Sequence, residues 1–355
     1  MDSTDPLDAL LPLEGRLRRQ ARACARLGSP MYAELLTEAA ADVARGGVVA
    51  HVLSGHEDAP ERAALALRLL GAVHRLVLEG RVPELAVYYP SVGGTADPLK
   101  AWPVFHRVLE THEAEIRARL DAPPQTNEVG RSAPLLGGLL RIAAETRLPV
   151  RLLEIGTSAG LNLRFDHFRY DLGSRVYGPA VSPVLLSPAW TNSGPPLDAP
   201  LEVAERIGCD PMPIDGASPE GRLGLLSYVW PDQPDRIARL RGACEVAERV
   251  PATLVRAGGA DFLADLAPAE GVVTVVWHSI MRQYVTPAEW RTIEGSLSRA
   301  GEAATPRAPV AHLAFEPRRD DDGVVIFEVT LRLWPGGEPR VIGTAPPHGL
   351  PVTWN

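Results

Sequence analysis

The spacing of hydrophobic positions along this 355-residue chain changes near residue 150. Before that point, apolar residues recur three or four positions apart, which is typical of helices with one buried face. The helix predicted at residues 60–80 shows this most clearly, since one face carries Leu65, Leu69, Val73, Leu76 and Val77. The pattern predicts an all-α region of about five helices before the first strand.

A capping residue followed by proline marks two helix starts in this region. Ser29-Pro30 begins one helix, and Asp97-Pro98 begins another that we expect to run to about Leu120. Pro123-Pro124 then interrupts the chain. We therefore predict a helical cap or lid region at residues 1–124.

Beyond residue 150, short apolar runs rich in branched side chains alternate with helical segments. Val150–Ile155 and residues 271–277 are the clearest strands. This alternation predicts an α/β fold with a mostly parallel sheet and helical crossovers. Residues 324–333 and 340–343 flank a Trp-Pro-Gly-Gly turn, which predicts a closing antiparallel hairpin.

The stretch RLLEIGTSAGLNLRFD, residues 151–166, joins the first strand to a turn of small residues and a predicted helix. Gly156, Ser158 and Gly160 stand at alternate positions of the turn. Glycines allow unusual backbone angles and let a ligand approach the main chain. A helix that begins there would also present unpaired N–H groups. The turn is therefore a candidate site for a ligand with a ribose, a carboxylate or a phosphate.

Three hypotheses fit this turn. The pattern E-x-G-x-S-x-G, formed by Glu154, Gly156, Ser158 and Gly160, resembles the first motif of the Rossmann-like methyltransferases that use S-adenosylmethionine. The same G-x-S-x-G also fits a hydrolase nucleophile elbow with Ser158 at its tip, which would need a later acid and histidine. The third hypothesis is a glycine-rich turn in a protein that binds a cofactor without catalysis, or binds no ligand.

The resemblance to these methyltransferases extends over residues 125–355 and implies a three-layer sandwich that binds S-adenosylmethionine. Asp210 looks like the acidic residue that holds the ribose hydroxyls after the second strand. Asp261-Phe262 is similar to the motif that lies beside adenine, and His278 follows the fourth strand, where catalytic or substrate-binding residues are expected. The resemblance implies methyl transfer, and the acidic net charge of −8 favours a small-molecule acceptor over nucleic acid.

Asp210 lies about fifty residues beyond Gly160, against about 20 in compact ribose-binding units. Its assignment therefore requires residues 171–200, which are rich in Pro, Ser and Gly, to form an irregular insertion. The alternative is a second strand at residues 175–178, which no carboxylate follows promptly. Asp215 competes with Asp210 for the ribose.

The whole chain also resembles an uncharacterised, mainly actinobacterial family known only as a domain of unknown function. The segments that carry this resemblance are QTNEVGR, LLEIGTSAGLNL, SPEGRLGLLSYVWPDQPDR, VVWHS and LWPGG. Membership implies a helical region followed by a Rossmann-like domain. It implies no established reaction.

The polar segment QTNEVGR precedes an apolar helix predicted at residues 135–144. Asn127, Glu128 and Arg131 could face the ligand pocket, where Arg131 would pair with a carboxylate and Glu128 would accept from an amino group. Alternatively, Thr126 or Asn127 only caps that helix.

His278 could act as a general base on a hydroxyl, amine or carboxyl substrate, or it could be a packed, hydrogen-bonded histidine. Tyr284 is the second catalytic candidate, and Trp230 and Arg282 could line the substrate side. No residue spacing indicates a metal site.

Composition narrows the partners and the compartment. The formal net charge is −8, so the chain lacks the basic footprint of a nucleic-acid-binding protein. The three cysteines have no metal-ligand spacing and are expected to be buried thiols in a reducing compartment. No segment is typical of a signal peptide or a membrane span, so we expect a cytoplasmic protein.

Overall fold

The computed structural model describes residues 11–57, 64–121, 124–320 and 322–355. They divide into two compact units. The first, called the helical unit below, takes the described part of Met1–Thr126 together with Leu223–Ile237. The second, called the sheet unit, takes Asn127–Arg222 and Ala238–Asn355. The chain therefore leaves the sheet unit after Arg222 and re-enters it at Ala238.

The helical unit confirms the expected all-α character of this region. Its helices before residue 127 are α1 (Leu13–Arg26), α2 (Pro30–Ala44), α3 (Val48–Val52), α4 (Leu65–Leu78), α5 (Pro83–Ala86), α6 (Trp102–Thr111) and α7 (Glu113–Arg117). Helix α2 begins as predicted, because the Ser29 hydroxyl accepts a hydrogen bond from the amide of Tyr32 at 3.3 Å. The expected start of the next helix at Pro60 lies outside the described residues.

The single helix expected from Pro98 to about Leu120 is wrong. A 3₁₀ turn at Pro98–Lys100 is followed by α6 and then by α7. A second proline, Pro103, lies in the first turn of α6 and lacks the N–H that a continuous helix would use. The chain therefore begins a new helix at Trp102.

The segment Leu223–Ile237 belongs to the helical unit, which it contacts through hydrogen bonds and one buried indole ring. Asp232 accepts a hydrogen bond from the Ser29 hydroxyl at 2.6 Å and another from the amide of Met31 at 3.0 Å. The Nδ1 atom of His74 lies 3.2 Å from the carbonyl of Ser227. Trp230, which is 6 % exposed, packs into the core of this unit.

The sheet unit contains two sheets among its described residues. Its strands are β1 (Val150–Ile155), β2 (Arg169–Asp171), β3 (Val176–Tyr177), β4 (Leu185–Leu186), β5 (Val203–Asp210), β6 (Thr253–Arg256), β7 (Val273–Ser279), β8 (Val310–Arg319), β9 (Val325–Trp334), β10 (Arg340–Thr344) and β11 (Thr353–Trp354). The main sheet has the order β11-β10-β9-β8-β7-β1-β5-β6. Strands β8 to β6 in that order are parallel, and β9, β10 and β11 extend the sheet antiparallel. The α/β class, the mostly parallel sheet and the C-terminal hairpin are confirmed.

In the part of the chain that the structure describes, five further α-helices carry the chain between these strands or onto them. They are α8 (Ser132–Thr146), α9 (Pro219–Ser227), α10 (Pro234–Arg249), α11 (Gly259–Phe262) and α12 (Pro287–Glu302). Helix α8 packs closely on the sheet, since a Cβ atom added to Gly137 would lie 1.9 Å from the Trp354 ring. Within the described residues, no helix combines the length and the apolar content needed to cross a bilayer.

The helix expected directly after the glycine turn is present as a 3₁₀ helix, Leu161–His167, with non-helical angles at Arg164. Its first five residues are all buried, so this part of the segment has no exposed polar face. Apolar residues at alternate positions do not produce the one-sided stripe of an α-helix.

Residues 171–200 hold β3 and β4, which join β2 in a separate small sheet of order β3-β2-β4. The strand considered at 175–178 thus belongs to this small sheet, as Val176–Tyr177. Strand β5, which ends at Asp210, is the one that pairs with β1 in the main sheet.

Candidate functional site

The glycine turn lies at the carboxyl end of β1, in the middle of the main sheet. Gly156, Ser158 and Gly160 all have left-handed backbone angles, with φ of +70°, +53° and +64°. Ser158 is the unusual member, because a residue with a Cβ atom seldom adopts this conformation. A Cβ atom at Gly160 would also lie 2.6 Å from Leu254. The alternation of small residues seen in the sequence therefore reflects a backbone requirement.

Asp210 is the acidic residue next to this turn. It ends β5, whose Cys209 pairs with Ile155 of β1. One carboxylate oxygen accepts the amide of Ser158 at 3.0 Å, and the other accepts the amide of Met212 at 2.8 Å. Each oxygen can accept a second hydrogen bond, because a carboxylate has about four lone-pair sites. Asp210 is only half-buried, so those sites are within reach of a ligand.

Three further amides of the turn are bound by the protein itself. Gly156 and Thr157 both donate to the carbonyl of Cys209, at 2.9 and 3.0 Å. Gly160 donates to the carbonyl of Thr157 at 2.8 Å. A phosphate-binding turn points its amides at the ligand. The amides of Gly156, Thr157, Ser158 and Gly160 are therefore not available to cradle the phosphates of a dinucleotide.

Asn127 does not cap α8, and that alternative is wrong, because α8 begins at Ser132 without a side-chain cap. The Asn127 side chain instead accepts the amide of Leu161 at 2.9 Å, where the 3₁₀ segment begins. Asn127 therefore lies beside the turn. That it also contacts a ligand stays a prediction. Its observed contact holds the turn in place.

Glu128 and Arg131 connect the same region to two other loops. The Glu128 carboxylate accepts the amide of Gly130 at 3.1 Å and lies 3.3 Å from the Nδ1 atom of His348. Arg131 donates to the carbonyl of Ser279 at 3.2 Å, at the end of β7. The QTNEVGR segment thus joins the C-terminal loop and the end of β7 at the carboxyl edge of the sheet.

Glu154 lies beneath the turn and is buried. It accepts hydrogen bonds from the Thr157 hydroxyl at 2.5 Å and from the indole of Trp277 at 3.1 Å. Burial raises the pKa of Glu154 to about 7, although these two donors act in the opposite direction. Its carboxyl group therefore fixes the turn to β7.

His278, at the end of β7, is 1 % exposed and has both ring nitrogens engaged. Its Nδ1 lies 2.8 Å from the Glu316 carboxylate, and its Nε2 lies 2.9 Å from the Nε2 of His312. Burial, followed by the proximity of His278, lowers the pKa of His312 to about 3, so His312 is neutral. Glu316 accepts from Nδ1 of His278, so a neutral His278 must accept at Nε2 from His312. In this arrangement neither ring nitrogen of His278 can accept a proton from a substrate.

Sequence reasoning missed His312 and Glu316. Residue Ala314 of β8 pairs with His278 in the parallel register, and His312 and Glu316 stand two positions before and after it. Side chains at alternate strand positions share a face, so both flank His278. The alternation within HLAFE was the available signal, but its meaning depends on the register between β7 and β8.

The remaining candidates lie in different surroundings. Arg282 stacks over the ring of Trp290 at 4.9 Å, and Tyr284, two residues later, is 60 % exposed. Asp261 and Phe262 form the end of α11, where Asp261 is exposed and Phe262 packs on the core beneath the sheet. Trp230 lies in the core of the helical unit.

The remaining observations concern the cysteines and the residue types that bind metals. Cys24, Cys209 and Cys244 are buried and not disulfide-bonded, which confirms the expected thiols. Among the described residues, no group of three or more His, Cys, Asp or Glu side chains could hold a metal ion.

Comparison with known proteins places the chain in a family. No curated protein and no solved structure matches it. One family model covers residues 14–354, and it confirms the resemblance to a family without an assigned function. The chain therefore belongs to the bacterial family DUF2332, which is described as "Uncharacterized protein conserved in bacteria".

Proposed function

We propose that the sheet unit binds S-adenosylmethionine at the carboxyl ends of β1 and β5 and transfers its methyl group to a small molecule. One observation carries the proposal. The carboxylate of Asp210 lies against the glycine turn, bound to the amide of Ser158 at 3.0 Å, and keeps capacity to accept from a ribose diol. Ligands of open parallel sheets bind at this edge, outside the carboxyl ends of the strands.

The amides of the turn favour this cofactor over a dinucleotide. Those of Gly156, Thr157, Ser158 and Gly160 are bound by protein oxygens. A pyrophosphate would need such amides, whereas S-adenosylmethionine has no phosphate and can rely on its ribose and its adenine. Asp261 and Phe262 lie in the segment that follows β6. This segment contacts β5, because the Ala257 amide donates to the backbone carbonyl of Asp210 at 3.1 Å. We propose that Asp261 and Phe262 lie beside the adenine ring of the cofactor.

The chemistry asks little of the protein beyond position. The cofactor supplies a methyl group on a positively charged sulfur, which needs no further activation. The chain must align a substrate nucleophile and exclude water. Arg131, Glu128 and Asn127 hold the loops at this edge in place through backbone contacts. We propose that they shape the substrate side.

His278 is proposed to position the end of β7, and its role as a base stays a prediction. A proton from a substrate could reach its Nε2 only after His312 moves away, since the two Nε2 atoms lie 2.9 Å apart. Tyr284 is the more accessible of the two catalytic candidates.

A serine hydrolase with Ser158 as nucleophile has less support. The left-handed angle of Ser158 suits a tight elbow, but its side chain is buried, with 4 % of the residue exposed. His278 is engaged by Glu316 and His312 and cannot serve Ser158 at the same time. A cofactor-binding protein without catalysis would share the site but would not depend on His278.

The acceptor substrate is proposed to be a small molecule, because the net charge of −8 offers no footprint for nucleic acid. The lid role of the helical region remains part of this proposal. A cytoplasmic location is also proposed, and it rests on the three buried thiols.

The first experiment is a calorimetric titration of the full chain with S-adenosylmethionine and S-adenosylhomocysteine. We expect micromolar binding that is lost in Gly156→Val, because Gly156 has a φ of +70° and an added Cβ atom would lie 3.1 Å from Met281. Circular dichroism of the variant excludes simple unfolding. A fluorophosphonate probe serves as the parallel test. No binding by either cofactor together with a labelled Ser158 would replace the proposal with the hydrolase.

A further inference from the structure

The sheet unit contains a cavity of about 260 Å³ beside the glycine turn. Its walls are mostly small or apolar side chains, among them Ala159, Ala247 and Leu254. Two charged residues, Arg164 and Asp215, also line it. Concave sites that combine apolar walls with a few polar groups are typical of small-molecule binding.

Arg164 brings a buried positive charge to this cavity. The residue is 5 % exposed, its Nε donates to the carbonyl of Val250 at 2.9 Å, and its Nη1 donates to the carbonyl of Gly160 at 2.7 Å. No acceptor for its Nη2 is found in the part of the chain that the structure describes. Burial, followed by nearby Arg206, lowers the pKa of Arg164, whereas the negative charges of Glu154 and Asp215 act in the opposite direction. Among the described residues, no carboxylate is bound directly to the Arg164 guanidinium as a counter-charge. An anion in the cavity would supply one.

Asp215 contributes the opposite charge, at an exposed position. One of its carboxylate oxygens accepts the amide of Ala217 at 3.0 Å. Asp215 and Arg164 attract each other, yet among the described residues no ion pair within 4.0 Å joins them. The cavity therefore presents a buried cation and an exposed anion that are separated. A ligand that carries both charges can contact both.

We propose that this cavity binds a free α-amino acid, with its carboxylate on Arg164, its ammonium group on Asp215 and its side chain against Ala159, Ala247 and Leu254. The position of Asp215 argues against a phosphate or a dicarboxylate, because a second negative charge would meet a carboxylate there. The small cavity volume excludes long peptides. This site does not depend on the proposed methyl transfer.

The test measures the melting temperature of the full chain with each protein L-α-amino acid at millimolar concentration, followed by calorimetry of the best ligand. We expect at least one amino acid to raise the melting temperature. Its affinity should fall about tenfold or more in Arg164→Gln and in Ala247→Leu. The leucine fills the cavity without touching the charges, so the test survives if Arg164→Gln fails to fold. Ala238→Leu, at an exposed position of the same helix, is the matched control and should bind normally.

The ammonium contact has its own test. The carboxylic acid that lacks only the amine of the best ligand should bind more weakly to the wild-type protein. Asp215→Asn should lower the affinity for the amino acid and leave the affinity for this analogue unchanged. Equal binding of the two compounds, no stabilisation by any amino acid, or unchanged affinity in Ala247→Leu would each overturn the proposal. Titration of the same variants with S-adenosylmethionine reports separately on the proposed function.

Discussion

The carboxylate of Glu316 accepts a hydrogen bond from the Nδ1 of His278 across the parallel pair of β7 and β8. The same oxygen accepts the amide of Met281 at 2.9 Å, so one carboxylate fixes both the ring and the loop that follows β7. A carboxylate on Nδ1 selects the tautomer of a histidine and holds its orientation. The end of β7 is therefore rigid where the predicted substrate side begins.

His278→Ala should spare cofactor binding and impair turnover, because the residue lies at the end of β7 and its ring, bound to Glu316, orders that strand end. The measurement is calorimetry with S-adenosylmethionine, combined with methyl-transfer assays once a substrate is known. His167→Ala, at a half-exposed histidine of the same unit, is the control. Normal turnover in His278→Ala would remove the residue from the mechanism and favour a packing role.

Asp210→Asn should weaken binding of S-adenosylmethionine by about 1–3 kcal/mol, because a charged acceptor of hydrogen bonds is lost. Asparagine has the same shape as aspartate, and its side-chain oxygen can still accept one of the two backbone N–H groups that Asp210 binds. Titration calorimetry measures the change. Asp320→Asn is a matched control, since Asp320 also accepts two turn amides, those of Asp322 and Val324. An unchanged affinity in Asp210→Asn would transfer the ribose role to Asp215.

Glu154→Gln should change the pH dependence of stability. The folded protein keeps the Glu154 proton up to a pKa of about 7, whereas the ordinary value is 4.5. The unfolded chain thus loses the proton first, and stability falls as the pH rises from 4.5 to about 7. Glutamine removes this loss, so the variant should gain up to about 3 kcal/mol relative to wild type above pH 7.

Urea denaturation below pH 4.5 and above pH 7 measures this difference for Glu154→Gln. The same exchange at Glu205, an exposed residue of β5, is the control for the substitution itself. Parallel profiles for wild type and Glu154→Gln would show that the buried carboxyl does not titrate between these limits.

Gly137→Ala should destabilise the sheet unit by about 1–3 kcal/mol, because the new methyl group would overlap the Trp354 ring. Gly295→Ala is the opposite control in α12, where the nearest atom to an added Cβ is the flexible end of Arg299 at 3.5 Å. That change should stabilise by about 0.5–1 kcal/mol through helix propensity. Denaturant unfolding compares the two, and equal effects would contradict close packing of α8 on β11.

Local signals in the sequence were enough for elements whose stability is local. Strand β1 has the predicted limits, because a continuous run of branched side chains suits a strand buried on both faces. Helix α2 starts where Ser29 and Pro30 predict it. The hairpin of β9 and β10 follows from its turn residues.

Features that depend on distant partners could not be predicted. Nothing near Asp232 in the sequence indicates that its carboxylate accepts from Ser29, which lies 203 positions earlier in the chain. Likewise, His312 and Glu316 acquire meaning only through the register that sets Ala314 beside His278. At the candidate site, the sequence was enough to single out the glycine turn and Asp210. The hydrogen bonds that hold them together are visible only in the structure.

The return of Leu223–Ile237 to the helical unit has a consequence for how the protein is made. Asp232 and Trp230 belong to the interior contacts of that unit, so its core is incomplete until residue 237 has left the ribosome. By then β1 and β5 have already been synthesised. The amino-terminal unit of this protein therefore cannot finish folding first, as N-terminal domains generally do.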